Sequence, residues 1–91
     1  MRIRWTPAAA ADLEAIHDYL TEHEPHLARS TVMELRQGIR SLKQFPHMGR
    51  PGREPGTREL LHRRLPHIVV YRVKEDAVEI LRVWHPSRDW R

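Results

Sequence analysis

The chain opens with MRIRW, in which apolar and basic side chains alternate with the period of a half-buried β-strand. Thr6-Pro7 then predicts a helix start, because a threonine hydroxyl can accept a hydrogen bond from a free backbone amide and proline loses none at the first helical position. The helix is predicted over residues 8–21. Its buried stripe recurs at helical spacing and consists of Leu13, Ile16 and Leu20.

A second helix is predicted from Pro25, whose ring fits the first helical turn. Its apolar residues are spaced four and three apart, so they form one buried face that continues to Phe45. That face consists of Ala28, Val32, Leu35, Ile39 and Leu42. The opposite side of the first helix is predicted to be a solvated acidic face formed by Asp12, Glu14 and Asp18.

Three strands are predicted in the second half of the chain. Residues 46–56 carry three prolines and three glycines, which predicts a loop and excludes a continuing helix. The strands are predicted over residues 57–65, 67–73 and 78–85, with a polar hairpin turn at residues 74–77. The middle strand, HIVVYRV, has apolar residues on both faces and is therefore predicted to be central.

These elements are predicted to form a single domain over residues 1–91 in the order strand, helix, helix, strand, strand, strand. The predicted α+β fold packs a two-helix hairpin on one face of a mainly antiparallel four-stranded sheet. The first strand joins that sheet at an edge or beside the last strand.

The composition limits the chemistry and favours a polyanionic partner. The chain has no cysteine, which excludes disulfides, a thiol nucleophile and thiolate metal ligands. It has no apolar run near twenty residues, so we expect a soluble cytoplasmic protein with no membrane association. Residues 1–45 hold six Lys/Arg and six Asp/Glu, whereas residues 46–91 hold ten and six. The net charge of +4 therefore comes from the second half, which indicates either a nucleic acid, a phosphate-rich substrate or an acidic protein segment as partner, or a solvated basic surface without one.

The segment LRVWHPSRDWR concentrates histidine, arginine and tryptophan at the end of the last strand. A neutral His85 imidazole can transfer a proton near pH 7, and a neighbouring arginine can stabilise phosphate charge. That combination suits cleavage of RNA by its own 2′-hydroxyl. An ordinary backbone hydrogen bond is the alternative role of His85, and strict alternation places Arg82 and His85 on opposite faces unless a β-bulge intervenes.

Metal and cofactor chemistry finds no support in the sequence. Pro25 breaks the helical register between His23 and His26, so we expect no metal site there. Glycine-rich phosphate-binding loops and the strand-to-helix elbow of a hydrolase nucleophile are absent from the sequence, so no cofactor is expected.

Five segments follow one another along nearly the whole chain: IRWTPAAAADLEAIHDYL, FPHMGRPG, TREL, PHIVVYRV and VEILRVWH. This ordered set resembles the RelE/ParE superfamily of bacterial type II toxins. The resemblance implies the fold predicted above, in a toxin of a plasmid-stabilisation-like toxin-antitoxin system. It further implies a small cognate antitoxin that neutralises the toxin in a hetero-oligomeric complex.

The resemblance implies one of two targets. ParE-like members poison DNA gyrase and cause growth arrest without an established catalytic centre, and FPHMGRPG and VEILRVWH look closer to these members. RelE-like members cleave messenger RNA on the ribosome as mRNA interferases. The lysines of this chain, Lys43 and Lys74, do not supply the paired-lysine site of the best-known RelE-like toxins, and Trp90 stands where a terminal tyrosine can occur. Gyrase poisoning is therefore the preferred hypothesis.

Each hypothesis assigns its own residues. A RelE-like endoribonuclease site would consist of His85, Arg58, Arg64, Arg82 and Arg88. Contacts with the target or with the antitoxin are assigned to Arg50, Arg53, Arg63, Trp90 and Arg91. A third hypothesis is a basic binding module with neither activity, in which the arginines face the antitoxin.

Overall fold

The structure is a computed structural model that describes residues 1–86. Its helices are α1 (Pro7–His23) and α2 (Pro25–Arg40), and a short 3₁₀ turn, Ser41–Lys43, follows α2. Its strands are β1 (Arg2–Trp5), β2 (Arg50–Pro51), β3 (Arg58–Leu61), β4 (Ile68–Lys74) and β5 (Ala77–Trp84). The two helices pack on a five-stranded sheet, which confirms the α+β fold.

The sheet has the order β1-β5-β4-β3-β2. β1 runs parallel to β5 at one edge, and the other neighbours are antiparallel. The prediction of four strands was wrong because β2 adds a two-residue edge strand within the proline- and glycine-rich segment. β3 is also shorter than the predicted strand over residues 57–65.

Tyr71 explains why the segment before β2 lies against the sheet. Its buried side chain donates a hydrogen bond to the Pro46 carbonyl at 2.8 Å and accepts one from the Gly49 amide at 2.8 Å. A Cβ at position 49 would lie 2.7 Å from the Tyr71 hydroxyl oxygen, so only glycine fits there. The contact brings Arg50–Pro51 beside the start of β3.

Thr6 begins α1 as the sequence predicts. Its hydroxyl accepts a hydrogen bond from the Ala9 amide at 3.2 Å and donates one to the Ile80 carbonyl at 2.7 Å. Pro7 is the first helical residue, and Pro25 occupies the first turn of α2. One side chain therefore caps α1 and also joins it to β5.

The core lies between the helices and one face of the sheet. It consists of Ala9, Leu13, Ile16, Leu35, Ile39, Leu42, Val69, Tyr71, Val78, Ile80 and Val83. Phe45 was predicted to continue the buried face, but 56% of its surface is exposed because α2 ends at Arg40 and the chain turns away.

A β-bulge in β5 decides which residues reach this core. Tyr71 pairs with Ile80 and Val70 pairs with Arg82, so Leu81 has no partner in β4. The extra residue shifts the alternation by one position. Ile80 and Val83 are therefore both buried against the helices, although they are three residues apart.

Candidate functional site

Several arginines of the second half are bound within the protein. The Arg50 guanidinium donates two hydrogen bonds to the Glu59 carboxylate, at 3.0 and 2.8 Å. Arg58 donates to the backbone carbonyls of His47 and Gly49, at 3.2 and 2.8 Å. These contacts hold the loop and β2 against β3, so both arginines have a structural role.

Arg64 and Arg82 each join the sheet side of the chain to a helix. Arg64 forms an ion pair with Glu34 of α2. Arg82 donates from Nε and Nη2 to the two carboxylate oxygens of Asp12 in α1, at 2.7 and 2.9 Å. The hydrogen bonds that Arg82 donates to Asp12 raise the pKa of Arg82 above its ordinary value, and the guanidinium stays charged.

Asp12 was predicted to be solvated, and that prediction was wrong: only 5% of its surface is exposed. β1 ends at Trp5, which pairs with Ile80, so the edge of β5 beyond Ile80 lacks a neighbouring strand. The Asp12 carboxylate accepts the Val83 amide at 2.9 Å and satisfies this open edge. Asp12 is therefore buried because the Val83 amide, a buried backbone donor, needs an acceptor.

A second charged cluster lies on the sheet face opposite the helices. Glu79 is 7% exposed and accepts hydrogen bonds from Arg72 at 2.6 Å and from Arg4 at 2.8 Å. The hydrogen bond from Arg72 lowers the pKa of Glu79 below its ordinary value, although burial opposes this. This cluster was not predicted from the sequence, because its signal is two arginines that face one glutamate across neighbouring strands and so depends on strand register.

His85 lies in another part of the molecule from Arg82. Its ring meets the buried His67 ring edge-on, with centroids 5.1 Å apart, in a cleft of about 490 Å³ whose walls include Tyr19 and Glu24 of the helix hairpin. Arg82 instead lines a cleft with Trp84 and Arg53, and its guanidinium lies 5.3 Å from the Trp84 ring centroid.

Within residues 1–86, the structure therefore does not gather the described candidate ribonuclease residues into one site. Arg58 holds a loop, Arg64 is paired with α2, Arg82 is paired with α1, and His85 faces a separate cleft. Arg53 and Arg63 are exposed and form no ion pair within residues 1–86. Arg88, Trp90 and Arg91 lie outside the described residues.

Comparison with known proteins places this fold in a family. A family model described as the ParE toxin of the type II toxin-antitoxin system parDE matches residues 3–90. This chain belongs to the ParE toxin family. Protein Y4kP of Sinorhizobium fredii is 39% identical over 89 residues, which cover 98% of this chain and 92% of that protein. Toxin RelE2 of Caulobacter vibrioides is 33% identical over 87 residues, with 96% and 97% covered.

The same relationship holds in three dimensions. A structure of the chromosomal ParDE toxin-antitoxin system from P. aeruginosa superimposes with a TM-score of 0.86 at 35% identity, covering 93% of this chain and 95% of that chain. The ParE-family fold described here, with both helices on one face of the sheet, is thus shared with a solved member of a toxin-antitoxin system.

The described part of this ParE-family toxin contains neither a membrane-spanning helix nor a metal-binding cluster. Within residues 1–86, neither helix combines the length and apolar character that a bilayer crossing requires. In the same part of the chain, no group of three His, Asp or Glu side chains is arranged to hold a metal ion.

The unpaired cations within residues 1–86 include three arginines that were not predicted as functional residues. Arg29, Arg36 and Arg40 are exposed on α2 and form no ion pair with any described residue. The first half of the chain is neutral by count, but four of its six acidic residues are on α1 and three of its six cations are on α2. A charge count by sequence half hides this separation.

Proposed function

We propose that this ParE-family toxin arrests growth by poisoning DNA gyrase. The observation that supports this choice is the dispersal of the candidate ribonuclease residues. Arg58, Arg64 and Arg82 are engaged with separate parts of the fold, and neither Arg64 nor Arg82 has a guanidinium free of a carboxylate. A gyrase poison needs a binding surface and no such proton-transfer centre.

The binding surface for gyrase is proposed to include Trp90 and Arg91. Tryptophan and arginine concentrate binding energy at protein interfaces, since both combine large contact area with directional hydrogen bonds. Removal of these two residues is expected to weaken gyrase inhibition at least tenfold. A Lys74→Gln variant, which changes one exposed charge in the β4-β5 hairpin, serves as the control.

The direct test incubates purified toxin with gyrase, supercoiled plasmid and ATP. Protein is then denatured, and gyrase-linked linear DNA is measured on a gel. Accumulated linear DNA supports gyrase poisoning. Unchanged plasmid, from a preparation that still arrests growth on expression, would contradict it. Toxin that has no effect in either assay would favour the inactive binding module.

A cognate antitoxin is the proposed regulatory partner, and an apolar groove beside β3 is its proposed docking site. The groove is lined by Met48, Leu61 and Arg63, with Arg50 on its wall. Leu61 and Met48 are about half exposed, and β2 covers only the first part of β3. An antitoxin segment with apolar anchors and carboxylates fits both the exposed side chains and the free cation of Arg63.

This docking site is tested by the affinity of the toxin for its antitoxin. Leu61→Asp and Arg63→Glu are each expected to weaken the complex at least tenfold, because one buries a charge in the apolar groove and the other repels carboxylates. Lys74→Glu reverses a charge elsewhere and serves as the matched control. Equal affinity of all three variants would place the antitoxin on another surface.

Ribosome-dependent cleavage of messenger RNA is the second candidate function. His85 and His67 form an edge-on imidazole pair in a cleft, and Toxin RelE2 of Caulobacter vibrioides is a 33% identical relative. If the toxin cleaves messenger RNA on ribosomes, His85→Ala should abolish cleavage and leave antitoxin binding intact. Intact cleavage by that variant would remove His85 from the mechanism.

A further inference from the structure

The outer face of α2 carries a row of exposed arginines, which we call the α2 basic row. It consists of Arg29, Arg36 and Arg40, followed by Lys43 in the 3₁₀ turn. The arginines are seven and four residues apart, so their Cα atoms lie within about 40° of one another around the helix axis. From Arg29 to Arg40 the row is about 16 Å long at 1.5 Å per residue.

No carboxylate of the described residues neutralises this row. None of its four cations forms an ion pair within residues 1–86. Glu34, the acidic residue within α2, is paired with Arg64 and is therefore not available to the row. The Arg36 guanidinium lies 5.7 Å from the Trp5 ring centroid, a contact that orients the charge without cancelling it.

The neighbouring helix has the opposite charge. Glu14, Asp18 and Glu22 are exposed on α1 and recur every four residues. Asp12 does not contribute to that acidic face because it is paired with Arg82. Exposed acidic side chains are therefore concentrated on α1 and exposed arginines on α2, although Glu14 and Arg36 line the same cleft between the helices.

The composition of the row favours a nucleic acid over a protein as its occupant. A protein interface usually has an apolar core within a polar rim. Here Met33 is a single exposed apolar side chain between Arg29 and Arg36, and Ser30 and Gln37 flank it. Cations repeated along a helix with little apolar surface are typical of contacts with a phosphate backbone.

We propose that the α2 basic row binds the phosphate backbone of double-stranded DNA. This inference rests on the proposed function, since DNA is the substrate of gyrase and is present wherever the toxin meets its target. A row of about 16 Å matches the rise of about five nucleotides of one strand along the duplex axis, at 3.4 Å of axis per nucleotide. Arginine forks match phosphate oxygens, so the row attaches to DNA without reading its sequence.

The test measures binding of the purified toxin to a fluorescent DNA duplex by anisotropy, over a range of salt concentrations. Four phosphate contacts predict a slope of log K against log salt of about −3.6. In the variant Arg29→Gln/Arg36→Gln the slope should fall to about −1.8. Glutamine and arginine have similar helix propensities, so α2 should persist, which circular dichroism checks.

The matched control is Arg2→Gln/Lys74→Gln. It removes the same charge from two exposed residues of the sheet, outside α2. We expect the control to keep the slope of the unchanged toxin. Equal weakening by both double variants would show that only net charge matters and would overturn the proposal. Unchanged binding by the α2 variant would overturn it as well.

Two further measurements distinguish double-stranded DNA from RNA and from the antitoxin as the partner of the α2 basic row. An RNA duplex of the same sequence that binds more than tenfold tighter than DNA would overturn the assignment to DNA. Loss of antitoxin affinity in the α2 variant, with DNA binding unchanged, would make the row a protein-binding surface. The gyrase assay is independent of these measurements. If the toxin produces gyrase-linked DNA but does not bind the duplex, only the DNA-binding inference is overturned. If the toxin binds the duplex through the row but produces no gyrase-linked DNA, only the proposal that gyrase is the target is overturned.

Discussion

Asp12 closes the edge of the sheet that β1 leaves uncovered. Its carboxylate accepts three hydrogen bonds, two from Arg82 and one from the Val83 amide. The sequence places Asp12 near Glu14 and Asp18 on one helix, so all three look alike before folding. Their environments differ because only Asp12 contacts the end of β5, which is distant from it in the sequence.

Replacing Asp12 tests this role. Asp12→Ala leaves the Val83 amide without an acceptor and Arg82 without its carboxylate, which should lower the free energy of unfolding by about 3 kcal/mol. Urea denaturation measures the change. The control is Asp18→Ala on the same helix, whose exposed carboxylate should contribute less than about 0.5 kcal/mol. Similar losses in the two variants would mean that Asp12 has no special role.

Glu79 is expected to make the stability of the toxin sensitive to acid. Its pKa is lowered in the folded protein by the hydrogen bond from Arg72, so folding favours the charged carboxylate. That stabilisation is complete above the ordinary pKa near 4.5 and is lost as pH falls through the lower folded pKa. Denaturation midpoints of Glu79→Gln should therefore change less between pH 5 and pH 3 than those of the unchanged toxin.

Glu14→Gln is the control for this pH dependence, because Glu14 is exposed on α1 and forms no ion pair within residues 1–86. It should keep the acid sensitivity of the unchanged toxin. If Glu79→Gln also keeps it, the acid-labile stabilisation comes from other carboxylates.

At the scale of elements, local signals predict the helices and long-range pairing decides the details of the sheet. The helix signals are local in the sequence: they are the spacing of apolar residues and the positions of Thr6 and Pro25. They predicted the first residue of each helix to within about two positions. β2 is two residues long and forms because Tyr71 holds its loop, which no local pattern reports. The bulge at Leu81 depends likewise on the partner strand, so alternation along β5 alone does not predict that Ile80 and Val83 are both buried.

Thr6 offers a test at the scale of elements, because it connects α1 to β5. Thr6→Ala removes the helix cap and the hydrogen bond to the Ile80 carbonyl, and should destabilise the fold by about 1–2 kcal/mol. Thr21→Ala removes a hydroxyl that bonds within α1 and should change stability by less than about 0.5 kcal/mol. Chemical denaturation measures the free energy of unfolding of both variants. Equal losses in the two variants would mean that Thr6 has no tertiary role.

At the scale of the molecule, the arrangement of charge was the least predictable feature. The count of residues located the positive excess of four in the second half, but two of its cations, Arg64 and Arg82, bind carboxylates of the first half, Glu34 and Asp12. The neutral first half becomes a polar hairpin, with Glu14, Asp18 and Glu22 on α1 and the basic row on α2. Pairing depends on tertiary contacts between residues distant in sequence, which composition does not contain.

The target of the toxin decides what His85 does, and one variant tests it in the whole molecule. If the toxin poisons gyrase, His85→Ala should still produce gyrase-linked DNA and arrest growth, since a contact surface elsewhere carries the activity. Urea denaturation of this variant checks that the packing of His85 against His67 is not needed for folding. A folded His85→Ala toxin that loses growth arrest would contradict this expectation and favour ribosome-dependent cleavage through the imidazole cleft.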